Sequence, residues 1–196
     1  MPKSQVVELH LAQHPEADAF LSEDPFHLMV GMVLDQQVPL EWAFRAPLEL
    51  SRRLGERLTP ATIATTDPER LVTVFAQRPS LHRYPGSMAR RVHALATDIV
   101  QQYGGSPKNI WVNVGSGDEL LRRVKALPGF GDQKARIFVA LLAKQLGVAP
   151  SGWEKVSAPY GERGSFRSVA DIVDEASLAR VRDFKKTMKA AAKAEP

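Results

Sequence analysis

The feature that most constrains the fold is the regular interruption of helical sequence by proline and glycine. Pro25 precedes the apolar run FHLMVGMVLDQQ, and Pro39 precedes LEWAFRAPLELSRRL, which stops before Gly55. Proline is favoured at the first position of a helix and glycine directly after the last. Because no segment alternates apolar and polar residues as a half-buried strand does, we predict an all-α protein.

The remaining helix starts carry side chains that can accept hydrogen bonds from first-turn amides. These predicted caps are Asp67, Ser87 and Ser116, the last in a capping box with Glu119. We expect Pro47 to kink or split the helix that contains it. Residues 148–165 are rich in glycine and proline and are predicted to form a loop. A last helix follows around SLARVRDFKKTMKAAAKA, with a frayed basic end.

Composition excludes several kinds of site. The 196 residues contain no cysteine, which excludes disulfides, cysteine-ligated zinc and iron–sulfur clusters. The five histidines show no metal-ligand spacing, and there is no P-loop or Rossmann glycine pattern. No apolar run approaches the roughly 20 residues that span a bilayer, and no signal peptide is recognisable. We therefore expect a cytoplasmic protein with no membrane partner.

Basic residues are concentrated in one part of the chain. The net charge is +4, but between Arg78 and Lys144 there are eleven Lys and Arg against four Asp and Glu. Such clustering fits a surface that binds a polyanion. A solvated surface with scattered charge is the alternative.

The most informative motif is LPGFG, residues 127–131, which joins two helices. Gly129 and Gly131 permit a tight turn that leaves the amides of the next helix uncovered. Those amides and the helix dipole favour an anion. We expect Leu127 and Phe130 to anchor the turn in the core. A simple corner between two helices is the alternative interpretation.

Two cations lie early in the helix that follows this turn. Lys134 and Arg136 are unfavourably placed with respect to the helix dipole. A phosphate near the start of the helix would explain both positions.

An acid and two amides, Asp35, Gln36 and Gln37, end the first apolar segment. Polar groups are costly to bury without partners, so these residues either cap and link two helices or face a ligand. Asp35 follows residues that are apolar on nearly every side, and burial without a cation would raise its pKa and suit it to proton transfer. The alternative for Asp35 is a hydrogen bond to a helix N-terminus or to an arginine of ARRVH.

Three segments in order resemble the HhH-GPD superfamily of DNA glycosylases, which includes endonuclease III. ALPGFGDQKARIFVALLAKQLGV is similar to its helix-hairpin-helix motif, and DPFHLMVGMVLDQQVPLEWAF and HRYPGSMARRVHALATDIVQQYGG are similar to two earlier helices. The resemblance covers residues 25–150 and is closest to a small cysteine-free branch. It implies a two-lobed all-α domain over residues 1–196, with the motif near 117–147 and residues 148–196 packing back on the other lobe.

The resemblance also implies a function. A monomer would bind double-stranded DNA in the nucleoid and flip a base into a cleft between the lobes. Gln36 or Gln37 matches the residue that fills the gap; capping the helix end is the alternative. The hairpin would contact phosphates, which position the protein without reading sequence. The implied DNA contacts there are Pro128, Gly129, Phe130, Gly131, Gln133 and Lys134. No cofactor is implied, although the hairpin leaves room for a monovalent cation.

One departure from the family concerns lyase chemistry. Family members that are lyases carry a Schiff-base lysine two residues after the last hairpin glycine, where this chain has Gln133. The lysine comes one residue later, and one helical residue rotates a side chain by ~100°. We therefore expect Lys134 to face the phosphate backbone and predict no Schiff-base lyase.

A second departure concerns the catalytic acid. The family's aspartate falls at Ser151, and no aspartate occurs between Asp132 and Asp171. Because the sugar cation formed as the glycosidic bond breaks needs a nearby negative charge, we expect Asp35 or Glu154 to substitute. The alternative for Glu154 is an ordinary surface residue.

Two loop aromatics complete the predicted site. Trp153 and Tyr160 are candidates for stacking on a flipped base, or for anchoring their loop in the core. The sequence thus predicts a monofunctional glycosylase that hydrolyses the N-glycosidic bond of a damaged or mispaired base. The alternative is a binding protein that recognises damaged DNA without cutting that bond.

Overall fold

A computed structural model describes residues 7–194, and within this range the chain is 65% helix with no strand. The all-α prediction is confirmed. The outermost residues of the predicted 1–196 domain, 1–6 and 195–196, lie outside the described part. The helices are α1 (Pro15–Glu23), α2 (Pro25–Leu34), α3 (Leu40–Leu54), α4 (Pro60–Thr65), α5 (Pro68–Ala76), α6 (Pro85–Tyr103), α7 (Gly117–Lys125), α8 (Asp132–Leu146), α9 (Trp153–Val156) and α10 (Glu175–Ala194).

Capping largely follows the sequence, with one displaced start. Asp67 accepts hydrogen bonds from the amides of Glu69 and Arg70, and Ser116 accepts one from Glu119. The Glu119 carboxylate binds the amide of Gly115 rather than that of Ser116, so the predicted capping box is not closed. Helix α6 begins at Pro85 and not after Ser87, because proline at the first helical position leaves no amide to be satisfied.

Helix α2 is shorter than predicted, and α3 is not divided at Pro47 as one of our predictions allowed. Helix α2 ends at Leu34, so Asp35 is its C-terminal cap and Gln36 and Gln37 lie in the link to α3. Pro39 restricts the residue before it to extended conformations, which prevents α2 from running on into α3. Pro47 lies inside α3 without splitting it.

Helix α2 is the centre of the core. Every residue from Phe26 to Leu34 is buried, and α2 contacts α1, α3 and α6. Helices α4 and α5 pack on α6, and α7 packs on α8 and α9. The two helices of the LPGFG motif therefore form one unit, whose turn lies beside the end of α2.

Close packing of α2 on α3 gives a test of the core. A Cβ on Gly31 would lie 2.6 Å from Phe44 Cδ1, so the two helices approach each other only because residue 31 has no side chain. We expect Gly31→Ala to lower the free energy of unfolding by about 1–3 kcal/mol through overpacking. Urea denaturation would measure it. Gly86→Ala is the matched control and should not destabilise, because its Cβ would meet the flexible end of Arg90 at 3.4 Å and Val72 at 3.7 Å, which are ordinary contact distances.

The C-terminal region returns to the early helices. Leu178 and Val181 bury one side of α10, and Arg182 forms an ion pair with Glu41 of α3. A largely buried ion pair between Lys144 and Asp171, 2.6 Å long, fixes the preceding loop to α8. That loop contains the short helix α9, which the sequence did not predict. No helix within residues 7–194 has the length and apolar character needed to cross a membrane.

Candidate functional site

A cleft of about 1070 Å³ opens between the end of α2, the LPGFG turn, the loop before α10 and one side of α10. It brings together most of the residues predicted from the sequence, although they are up to 125 positions apart. Those that line it are Asp35, Gln36, Gln37, Gly129, Phe130, Gly131, Gln133, Lys134 and Tyr160. Pro128, Trp153 and Glu154 do not line it. The cleft is therefore the candidate site.

Asp35 lines this cleft at the end of α2, where it is half-buried. Its backbone amide caps α2 by donating to Gly31, but within residues 7–194 its carboxylate has no hydrogen-bond partner. Burial raises the pKa of Asp35, opposed by the positive charges of Lys185 and Lys134. The alternative in which an arginine of ARRVH binds Asp35 is not what the structure shows, although Arg91 lines the same cleft. A half-buried acid that lines an open cleft without a protein partner is suited to a ligand or to proton transfer.

Lys134 points into the cleft, and the expectation that it faces outward is wrong. Its ammonium donates to the Val33 carbonyl at 3.1 Å. Burial lowers the pKa of Lys134 to about 8, with Asp35 opposing and Arg91 adding to the effect. Gln133, one residue earlier, is exposed where it lines the same cleft, and its amide donates to the Tyr160 hydroxyl at 2.9 Å.

The inward position of Lys134 has a structural reason. The turn packs closely against α2, so the third residue of α8 faces the end of that helix. There Lys134 satisfies one of the carbonyls that a helix leaves unpaired at its C-terminus, where a cation is also favoured by the dipole.

The two glutamines are in different environments. The Gln36 side chain donates to Met88 Sδ at 3.4 Å, and its backbone carbonyl accepts from His82 Nε2 at 2.8 Å. Burial lowers the pKa of His82, which keeps its ring neutral. Gln37 is exposed and has a φ of +55°, a left-handed conformation that is costly for a residue with a side chain and is often found at functional sites.

The turn itself is anchored as predicted. Leu127 and Phe130 are each 3% exposed, and Phe130 packs on Phe138. Gly129 has a φ of +88°, and a Cβ there would lie 3.0 Å from Val33. At Gly131 an added Cβ would meet nothing within 4 Å. Packing therefore requires glycine at 129, whereas glycine at 131 leaves the start of α8 open to solvent.

A carboxylate also lies at the start of α8. Asp132 pairs with Lys125 and Arg136, both at 2.7 Å, and these two cations lower the pKa of Asp132 to about 2. Arg136 also donates to the Val156 carbonyl. These contacts account for Arg136 without a phosphate, contrary to our interpretation of the sequence. The two cations also neutralise Asp132, which lies beside the uncovered amides at the start of α8.

The three candidate residues of the loop, Trp153, Glu154 and Tyr160, lie in different environments. Trp153 is 9% exposed and belongs to the core, with its backbone packed against Gly117. Glu154 is exposed and forms an ion pair with Arg163 at 2.8 Å, as a surface residue would. Tyr160 alone reaches the cleft. Of the two candidate acids, only Asp35 is in a position to act there.

Several residues that line the cleft were not predicted. Among them are the cations Arg167 and Lys185 and the apolar residues Phe184 and Met188. The sequence carries no signal for them, because α10 reaches Asp35 only through the tertiary fold. Their effect is to add positive charge and apolar surface to the cleft.

No group of three His, Asp or Glu side chains in the described residues is arranged as metal ligands are. Comparisons of the chain with family models, with curated proteins and with solved structures gave no match. We therefore infer the function of this chain from the geometry of the cleft.

Proposed function

We propose that this chain is a DNA repair protein with an HhH-GPD-like fold that binds duplex DNA at the LPGFG turn. It hydrolyses the N-glycosidic bond of a damaged or mispaired base held in the cleft. The observation that carries the proposal is Asp35, an acid without a hydrogen-bond partner in the described residues, in the same cleft as the turn and the glutamines.

The geometry supports a division of tasks. The open amides at Gly131 suit a phosphate oxygen, and contacts of this kind fix position rather than sequence. The exposed Gln37 lies on the rim of the cleft, where an amide can occupy the gap left by an extruded base and bind the orphaned partner. The cleft volume exceeds what a single nucleobase needs, so the base can enter with its sugar at the mouth.

The chemistry assigned to Asp35 is that of a general base and electrostatic stabiliser. As the glycosidic bond breaks, the base leaves with the bonding electrons and the sugar becomes cationic. The Asp35 carboxylate stabilises that charge and accepts a proton from the water whose oxygen bonds to the sugar carbon. Because the ionised form is required, activity should rise with pH through the raised pKa of Asp35.

A non-catalytic damaged-DNA-binding protein is the second candidate. The observation that favours it is the absence of any aspartate between Asp132 and Asp171, together with the surface location of Glu154. The same turn and cleft would then hold a lesion without cutting it.

A lesion panel separates these two functions. Duplexes that carry uracil, alkylated purines, oxidised bases or mismatches are incubated with the protein and then treated with alkali. Strand cleavage at one lesion supports the glycosylase. Tight and lesion-selective binding without cleavage at any of them would establish the binding protein instead, and no binding at all would reject both.

Lys134 supports a further activity that the sequence had argued against, the opening of an abasic site through a Schiff base. A nucleophilic amine must be deprotonated, and an amine in the cleft with a pKa of about 8 has a much larger deprotonated fraction near neutral pH than an ordinary lysine with a pKa of about 10.4. We expect borohydride to trap the protein on abasic DNA, with a yield that rises through pH 8 rather than near 10.5.

Lys134→Arg is the matched control for this trapping, because it keeps a cation for the Val33 carbonyl but removes the nucleophile. Loss of the adduct in this variant assigns the reaction to Lys134. If the unmodified protein gives no adduct at any pH, Lys134 serves only to cap α2 and the expectation of no lyase stands.

A further inference from the structure

The second half of α10 is a basic projection that the proposed function does not use. We define the basic arm as residues 182–194, which contain five Lys and Arg against one Asp. After Val181, every described residue of α10 is exposed except Phe184, which is half-buried. The arm therefore extends beyond the packed part of the protein, and packing does not account for its charge.

The arm has a fixed position relative to the cleft. Leu178 and Val181 anchor its base in the core, and Arg182 pairs with Glu41. Phe184, Lys185 and Met188 line the same cleft as the LPGFG turn. The arm is thus a continuation of one wall of the candidate site.

Three lysines form a row along the arm. Lys185, Lys189 and Lys193 are spaced at i, i+4 and i+8, which places them on one side of a helix. Like charges at this spacing destabilise an isolated helix, so the row is favourable only when an anion neutralises it. The row is about 12 Å long, an axial length that holds three or four phosphates of one DNA strand.

We propose that the basic arm is a second contact for the DNA backbone, so that the duplex is held between the arm and the LPGFG turn. This proposal rests on the proposed function. A nucleic acid fits the arm better than a membrane, because helices that lie on membranes present large apolar side chains on their free side. Here Phe184 and Met188 line the cleft, and the other residues of the arm are charged residues, threonine and alanine.

The test replaces the lysines that do not line the cleft, with Lys186→Gln, Lys189→Gln and Lys193→Gln in one variant. Glutamine has a helix propensity close to that of lysine, so the arm stays helical. The variant removes two lysines of the row, Lys189 and Lys193, so we expect the slope of log K against log salt to become about two units shallower for duplex DNA. Base release at saturating DNA should stay unchanged, because Asp35 and Lys185 are kept.

The matched control replaces three exposed cations that do not line the cleft, Arg57, Arg70 and Lys108, by glutamine. An equal loss of slope in the control would show an effect of net charge alone and would overturn the proposal. A third variant with Lys186→Arg, Lys189→Arg and Lys193→Arg keeps the positive charges and should show the salt slope of the unmodified protein.

The remaining outcomes separate the arm from the proposed function. If the unmodified protein and the triple glutamine variant bind DNA with the same salt slope, the arm proposal fails and the proposed function stands. If it binds no DNA, the proposed function fails and the arm proposal fails with it. Vesicles of phosphatidylcholine with one-third phosphatidylglycerol test the other polyanion. Binding to them that is lost in the triple glutamine variant, with DNA binding unchanged, would assign the arm to membranes and overturn the proposal.

Discussion

Asp35→Asn is expected to reduce base release by at least about 10²-fold while making the protein more stable at neutral pH. The loss of activity follows from removal of the charge that stabilises the cationic sugar. Single-turnover cleavage of the lesion identified by the panel measures it, and urea denaturation measures stability. An increase in stability with a loss of activity is typical of a residue kept for function.

The gain in stability has a definite pH dependence. The pKa of Asp35 is raised in the folded protein by burial, so the folded state binds a proton more readily than the unfolded state. This contribution to stability is fully present below the unfolded pKa of about 3.9 and is lost as pH rises through the folded pKa. Asparagine does not titrate. The variant should therefore be more stable to unfolding than the original chain at pH 7, and the two stabilities should be most alike in acid.

Glu154→Gln is the control for Asp35→Asn. Glu154 is exposed and paired with Arg163, so its replacement should leave base release within about twofold. If Asp35→Asn retains full activity while Glu154→Gln loses it, the assignment of the acid is wrong and the loop must rearrange on DNA. If both variants are fully active, neither carboxylate takes part.

Gly129→Ala is expected to have the second large effect, on both folding and DNA binding. The left-handed φ of +88° costs a residue with a side chain about 1–2 kcal/mol. The new Cβ would also lie 3.0 Å from Val33 and 3.2 Å from Arg91, which adds about 1–3 kcal/mol of overpacking. The turn would move away from α2, so the affinity for duplex DNA should fall at least about tenfold.

Gly131→Ala separates folding from binding at the same turn. Its φ is −70° and its Cβ would meet nothing within 4 Å, so thermal stability should not change. The methyl group would nevertheless lie beside the open amides of α8 and obstruct a phosphate. Fluorescence anisotropy with a labelled duplex should show weaker binding for this stable variant. Unchanged binding would show that no phosphate binds at the start of α8.

Much of the local structure was predictable from the sequence, because it depends on short-range chemistry. The helix starts at Pro25, Pro68 and Ser116 and the glycine ends at Gly55 and Gly104 follow from caps and allowed dihedral angles. The anchoring of the turn by Leu127 and Phe130 follows from their being its two large apolar side chains. In each case the deciding interaction lies within a few residues.

The errors occurred where contacts between distant elements decide the outcome. Lys134 faces inward because the turn packs on Val33, about a hundred positions earlier. Glu154 and Trp153 follow the expected aspartate position closely, yet one pairs at the surface and the other packs in the core. Sequence spacing fixes neither the orientation of a helix against its neighbour nor the path of an irregular loop.

The sequence alone determined that the chain is helical, where most of its helices begin and end, and that an acid and two amides follow a buried helix. These properties depend on backbone geometry and hydrophobicity, which each residue carries with it. Only the tertiary structure decided that Asp35, Lys134 and Lys185 share one cleft. Their mutual electrostatics depend on distances of a few ångströms between α2, α8 and α10, and such distances arise only when the core is packed.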